Sequence, residues 1–179
     1  WNFRYRVLNI NSVCQLIFFV NNCIEMKFYI EKGVLKNINS HVNNECSIID
    51  INLNSITIPD SVSVLDDYCF EDCDNLSSIT IPTSVSELGY NCFGGCSNLS
   101  SVTIPNSVSN LGDSCFENCI NLSSITLGNS VTYLSAYCFS GCSNLSSITI
   151  PNSILSLGDC CFSGCSNLSS ITIPENMMY

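Results

Sequence analysis

Cysteine is the residue type best equipped for chemistry in this chain, with fourteen copies among 179 residues. Ten of them fall into two columns with a 23-residue period, Cys69/Cys92/Cys115/Cys138/Cys161 and Cys73/Cys96/Cys119/Cys142/Cys165. Paired four apart, such thiols could hold zinc, form disulfides or simply pack. Zinc wants four ligands in a closed shell, whereas a column is an unbounded row of thiols with no nearby His. Neighbouring copies would bring Cα atoms to ~5 Å, within disulfide reach, but stacked side chains point parallel and the S–S torsion is hard to attain. A free Cys behaves as a small, readily buried hydrophobe. The ten are therefore read as reduced core thiols flanking a phenylalanine. Cys14, Cys23, Cys46 and Cys160 lie outside the columns. Cys160 stands where other copies carry Tyr68 and Tyr137, and it is the one expected to be exposed and oxidisable.

Other catalytic chemistry has little to work with. Residues 42–179 contain no His, Lys or Arg, so no base can activate a serine or cysteine by the usual pairing. His41 stands alone in an Asn-rich stretch and is read as a surface residue. Asp66, Asp67, Glu71, Asp72 and Asp74 crowd one copy of the repeat and offer oxygen ligands to Ca²⁺. The Asp-x-Asp-x-Asp-Gly spacing of a calcium loop is absent, and a solvated acidic edge is the simpler reading. No enzyme activity, cofactor or metal is expected.

These residues are positioned by an internal repeat of 23 residues, unbroken over five copies: 59–81, 82–104, 105–127, 128–150 and 151–173. In register run Val62/Val85/Val108/Val131/Ile154, Leu65/Leu88/Leu111/Leu134/Leu157, Phe70/Phe93/Phe116/Phe139/Phe162 and Leu76/Leu99/Leu122/Leu145/Leu168. An eroded copy precedes them, with Cys46, Leu53, Ile56 and Ile58 one period upstream of Cys69, Leu76, Ile79 and Ile81. In each copy a segment such as Leu76–Ile81 ends in alternation, Ile79 and Ile81 to one side, Ser78 and Thr80 to the other. That is a short half-buried strand, stopped by Pro82. On the return path Asp67, Asp113 and Asp159 suit a helix N-cap and the following Gly or Ser-Gly suits its end, predicting one or two helical or 3₁₀ turns. A 23-residue unit cannot bury both its Leu and Phe alone, whereas stacked copies can. The expected fold class is an α/β repeat solenoid with a parallel sheet on one side.

The run Cys-Phe-x-x-Cys-x-Asn-Leu-Ser-Ser-Ile-Thr-Ile-Pro-x-Ser-Val resembles the BspA-type leucine-rich repeats, over about residues 46–175. The resemblance implies a protein-binding or adhesive scaffold with no catalytic residues to carry over. The chain departs from the broader leucine-rich pattern at the Asn position, where it has Ser61, Ser84, Ser107, Ser130 and Ser153. These serines are read as a hydroxyl ladder satisfying turn backbone groups.

The outward strand positions Ser78, Thr80, Ser101, Thr103, Ser124, Thr126, Ser147 and Thr149 form the candidate binding face, with Ser55/Thr57 and Ser170/Thr172 as its outer ranks. Ranks should repeat every ~4.8 Å. Such an uncharged hydroxyl lattice admits three readings: ordinary sheet chemistry, a protein- or glycan-binding face of modest affinity, and an ice-binding plane in outline only. Asn75, Asn98, Asn121, Asn144 and Asn167 each open a formal Asn-Leu-Ser glycosylation acceptor; the repeat generates all five at once.

Net charge is −10, and all five basic residues (Arg4, Arg6, Lys27, Lys32, Lys36) lie in the first 36 positions. That distribution argues against nucleic acid or an anionic membrane as partner and favours neutral or basic proteins. No run reaches the ~18 apolar residues of a membrane span. Val13–Val20 is apolar but no small-residue cleavage site follows, so the cytoplasm is the expected compartment and the cell surface the alternative. The chain divides into a non-repeat extension (1–25), a cap with one degenerate repeat (26–58), five repeats (59–173) and a truncated end (174–179), through which it can self-associate.

Overall fold

The structure is a computed structural model describing residues 55–177, together with the backbone of four upstream segments. Those segments are β1 (Tyr5–Ile10), β2 (Val13–Phe18), β3 (Met26–Glu31) and β4 (Val34–Asn37), paired antiparallel in chain order. The division drawn at Met26 thus falls between two strands in register along six residues. Strand β4 then pairs parallel with β6 (Val64–Leu65), which joins the meander to the repeats.

Each repeat is one coil carrying two strands. The three-residue strands β5 (Ser55–Thr57), β7 (Ser78–Thr80), β9 (Ser101–Thr103), β11 (Ser124–Thr126), β13 (Ser147–Thr149) and β15 (Ser170–Thr172) build one parallel side. Register is one full period, with Ser124 opposite Ser101 and Thr126 opposite Thr103. A second side consists of β6, β8 (Glu87–Leu88), β10 (Asn110–Leu111), β12 (Tyr133–Leu134) and β14 (Ser156–Leu157).

The return path corrects one expectation: the described residues contain no helix. Two columns of left-handed residues explain why. Tyr68, Asn91, Ser114, Tyr137 and Cys160 have φ near +50°, as do Asp72 and Asn118, with Gly95, Gly141 and Gly164 near +74° in the same column. A left-handed residue every fourth position forbids a helical turn. The Asp and Gly signals that read as helix caps serve tight turns instead.

This geometry also decides where the backbone hydrogen bonds go. The N–H groups of Tyr68, Phe70 and Asp72 donate to the carbonyls of Tyr90, Cys92 and Gly94 in the next coil, at 2.8, 2.7 and 2.8 Å. Between them, Cys69, Glu71 and Cys73 donate three residues back within their own coil. The same pattern recurs for Asn91, Phe93 and Gly95, and for the coils beyond.

The interior is a set of stacked columns. Phe70, Phe93, Phe116 and Phe139 are fully buried, and the five rings through Phe162 stack at 5.1, 5.2, 5.7 and 5.5 Å within 11° of parallel. Leu65, Leu88, Leu111 and Leu134 are fully buried beside them. Burial of one such side chain contributes about 1.5–3 kcal/mol, and a cavity left by its removal adds to the loss. Phe116→Ala is expected to lower unfolding free energy by about 3–5 kcal/mol, measured by urea denaturation. Phe162→Ala, at a half-buried position in the last full coil, should cost distinctly less; equal losses would contradict a shared stacked interior.

Candidate functional site

All eight predicted face residues are exposed, alternating with buried Ile79, Val102, Ile125 and Ile148. Ser170 and Thr172 extend the face by a fifth described rank. Ser55 and Thr57 lie in β5, but their side chains fall outside the described residues.

What separates this face from the other serine columns is its unused hydrogen-bonding capacity. The preceding column is consumed: Ser100, Ser123 and Ser169 hydroxyls donate to the carbonyls of Ser77, Ser100 and Ser146, at 3.3, 3.1 and 3.3 Å. On the second sheet Ser86 and Ser109 do the same onto Ser63 and Ser86. Asn144 and its neighbours form an amide ladder, Nδ2 to Oδ1, at 3.0–3.4 Å, so the Asn of each of these Asn-Leu-Ser triplets is tied to the next coil. By contrast, the hydroxyls of Ser78, Thr80, Ser101, Thr103, Ser124, Thr126, Ser147 and Thr149 make no hydrogen bond among the described residues. Cross-strand hydroxyl pairing therefore does not account for them. They are free to donate and accept outward, across a surface that carries no charge.

The sequence profile of the BspA type leucine rich repeat region, in six copies, matches residues 18–143 and 89–179. The chain belongs to the BspA-type leucine-rich repeat family. A leucine-rich repeat protein from Eubacterium ventriosum is 30% identical, with TM-score 0.67, over 82% of this chain and 40% of its own length. A leucine-rich cell surface protein from Faecalibacterium prausnitzii is 26% identical, with TM-score 0.56, over 70% of this chain and 48% of its own. The leucine-rich repeat protein of T. pallidum is 25% identical, with TM-score 0.67, over 69% and 60%. The chain thus spans less than two thirds of each relative. No curated protein matches it.

Within this BspA-type solenoid the serines at the Asn position of the wider leucine-rich pattern do not form the expected ladder. The hydroxyls of Ser84, Ser107 and Ser153 are buried without a partner, and Ser61 and Ser130 are exposed. The corner turn is closed by backbone instead, with Val85 and Val108 N–H donating to Pro82 and Pro105 carbonyls. Asparagine one position earlier adds to it, Asn106 Oδ1 accepting from Asn129 N–H at 2.8 Å. At this corner the hydroxyls of Ser84, Ser107 and Ser153 meet no partner in the neighbouring coil, whereas the Asn106 amide one position earlier does.

The acidic cluster is largely occupied in holding the second coil. Asp67 accepts from Tyr90 N–H at 2.7 Å, Glu71 from Asn91 Nδ2 at 2.6 Å and Asp74 from the Ser97 hydroxyl at 2.9 Å. Burial and the Asp72 charge raise the Glu71 carboxyl above its usual range.

The cysteine columns are free thiols, buried in the first four full coils. The second column has a specific task that the sequence did not suggest. Cys96, Cys119 and Cys142 donate S–H to the carbonyls of Phe70, Phe93 and Phe116 in the preceding coil, at 3.1, 3.1 and 3.2 Å. Burial pushes the thiols of Cys69, Cys92, Cys115 and Cys138 well above their ordinary value, and those of Cys119 and Cys161 up to about 12. The thiolate is the reactive form, so these groups are chemically quiet. Cys160 is exposed, as expected for the odd one out.

Two outcomes follow from this arrangement. Brief alkylation of the native protein with iodoacetamide should label Cys160 ahead of the other described cysteines, and mass mapping should find the column cysteines of the first four coils labelled only in denaturant. Stability should also fall in alkali. A thiol raised in the folded state stabilises fully below its unfolded pKa near 9 and loses that contribution as pH climbs toward 12. Each contributes a slope of up to about 1.4 kcal/mol per pH unit, so Tm measured from pH 8 to 11 should drop steeply once pH passes 9.

Proposed function

We propose that the chain is a non-enzymatic interaction scaffold whose Ser/Thr face captures protein partners. The observation that carries this reading is the set of exposed, unpartnered hydroxyls on β7, β9, β11, β13 and β15. Surfaces of this kind bind through many weak polar contacts. The face has no Trp, Tyr or Arg anchor, so affinity per module is modest, in the micromolar range, and useful strength comes from repetition. Leucine-rich repeat proteins are generally scaffolds of this type. The acidic balance disfavours polyanions and leaves neutral or basic proteins as partners.

A cell-surface location fits better than the cytoplasm, which the sequence reading had favoured. The Faecalibacterium relative is a cell surface protein, and no helix among the described residues is long and apolar enough to cross a membrane. Free thiols do not oppose this, because ten of the eleven described are buried or half-buried and the columns' protonated form resists oxidation. The second reading is an adhesin of the same fold gripping host or matrix protein, for which the same relative supports the surface location.

Solid-phase binding to a panel of purified matrix glycoproteins tests the proposal. Thr103→Lys/Thr126→Lys should weaken capture at least tenfold while leaving circular dichroism unchanged. Because the face is uncharged, capture should vary little between 50 and 500 mM salt; a steep salt dependence, or binding indifferent to the double substitution, would place the contact elsewhere.

A further inference from the structure

Five copies share one sequence pattern, yet the solenoid is not uniform along its axis. Both parallel ladders are interrupted at the same place. No strand pairing joins β11 to β13 or β10 to β12, although each pair remains adjacent. The bonds from the residue just before each strand stop there too. Ser100 and Ser123 N–H reach Ser77 and Ser100 carbonyls, and Ser169 reaches Ser146, but no such bond joins Ser146 to Ser123 among the described residues. On the second sheet Ser109 reaches Ser86 and Leu155 reaches Thr132, with no bond between Thr132 and Ser109.

Two residue changes in the 128–150 copy account for the break. In the column Gly89, Gly112, Ser135, Gly158 the backbones of consecutive coils approach closely. A Cβ on Gly112 would lie 2.4 Å from the carbonyl carbon of Gly89, and one on Gly158 2.4 Å from the nitrogen of Ala136. Glycine there lets Gly112 and Gly158 N–H donate to Leu88 and Leu134 carbonyls. Ser135 has a Cβ and cannot come so near. Its hydroxyl, rather than its N–H, reaches the Leu111 carbonyl. At the opposite corner Gly128 replaces the proline of every other copy. It sits so near Pro105 that a Cβ would lie 2.6 Å from the Pro105 oxygen. The corner bond made by Val62, Val85, Val108 and Ile154 onto their prolines has no counterpart between Val131 and Gly128. Coil 128–150 is propped up at Ser135 and drawn in at Gly128.

We infer that the boundary between Leu127 and Gly128 is a built-in seam that divides the solenoid into two cooperative units, residues 55–127 and 128–177. The turn tract crosses it intact: Ser114, Phe116 and Asn118 N–H still donate to Ala136, Cys138 and Ser140 carbonyls, at 2.9, 2.9 and 2.7 Å. Beside it Asn144 N–H donates to the Ile120 carbonyl at 3.1 Å and Asn129 N–H to Asn106 Oδ1 at 2.8 Å. The seam is therefore a joint held by the turn tract and its borders, with both strand ladders open. In a stacked-repeat protein, stability is a sum of coil and nearest-neighbour interface contributions, so the weakest interface sets where cooperativity divides. The same joint splits the hydroxyl face into a four-strand plate and a two-strand plate, whatever that face binds.

Native-state hydrogen exchange of the whole chain, read by mass spectrometry, tests this. The expected result is a step at 127/128: coils 128–150 and 151–173 exchange together and at least tenfold less protected than coils 82–104 and 105–127. Ser135→Gly, which restores the residue found in three other copies, should shrink that step tenfold or more. Gly112→Ser should create a second step one coil earlier. Protection declining gradually coil by coil toward residue 177 would reflect ordinary end fraying and overturn the inference. So would a step at 127/128 that Ser135→Gly leaves unchanged.

Discussion

Each coil ends with amide groups that only another coil can satisfy. Left-handed residues at every fourth position of the turn tract help aim the N–H groups of residues such as 68, 70 and 72 along the solenoid axis, all in one direction, toward carbonyls of the next copy. In a lone coil those amides would be left to water and the phenylalanine exposed, whereas burying them without the next coil's carbonyls would cost about 1–3 kcal/mol each. Stacking settles both at once, because the inter-coil spacing that aligns those donors is the spacing that stacks the rings at 5.1–5.7 Å. Left-handed tyrosine, serine and cysteine cost ~1 kcal/mol or more each, and they persist because the next coil over-determines them.

The columns were legible in the sequence because stacking demands the same residue class at the same phase. Val62, Leu65, Phe70 and Leu76, each repeated every 23 residues, gave the solenoid, its parallel strands and its buried thiols without coordinates. The turn tract was not legible. Asp67 followed by Gly94-Gly95 in the next copy carries the same residue preferences whether it caps a helix or makes successive left-handed turns. The column Asp72, Gly95, Asn118, Gly141, Gly164 did hold a usable signal, since only residues that tolerate positive φ occur in it. Its companion, with Tyr68, Ser114, Tyr137 and Cys160, contains poor left-handed formers and gave none.

Side-chain hydrogen bonding was the other blind spot. Serine is the commonest polar residue of the repeat, and composition cannot tell which hydroxyls face a carbonyl. Ser100 and Ser101 are adjacent in sequence and both exposed, yet one is bound to the preceding coil and the other is free. The strand pleat separates them, since the backbone carbonyl of the previous coil lies within reach of only one. The second cysteine of each pair is a parallel case. Its identity looked like hydrophobic filler, whereas its S–H is a donor to the phenylalanine carbonyl one coil back. A weak donor on a small apolar body suits a position that must be buried and still reach an oxygen.

Repetition makes a protein readable and at the same time hides what is particular about it. Where every copy agrees, a residue reports only the requirements of stacking, so the shared columns say little about where the molecule yields or what it touches. Departures carry that information. Gly128 for proline and Ser135 for glycine are each ordinary residues, yet both fall where the backbones of two coils come close and coincide with the loss of both ladders. The acidic residues of the first full copy act similarly, reaching across to Tyr90, Asn91 and Ser97, so that the coil richest in charge is also bound to its neighbour by side chains. In a stacked architecture a substitution matters through the interface it faces rather than through its own coil, and the 20- to 23-residue offsets of these acidic contacts place that interface at the adjacent repeat.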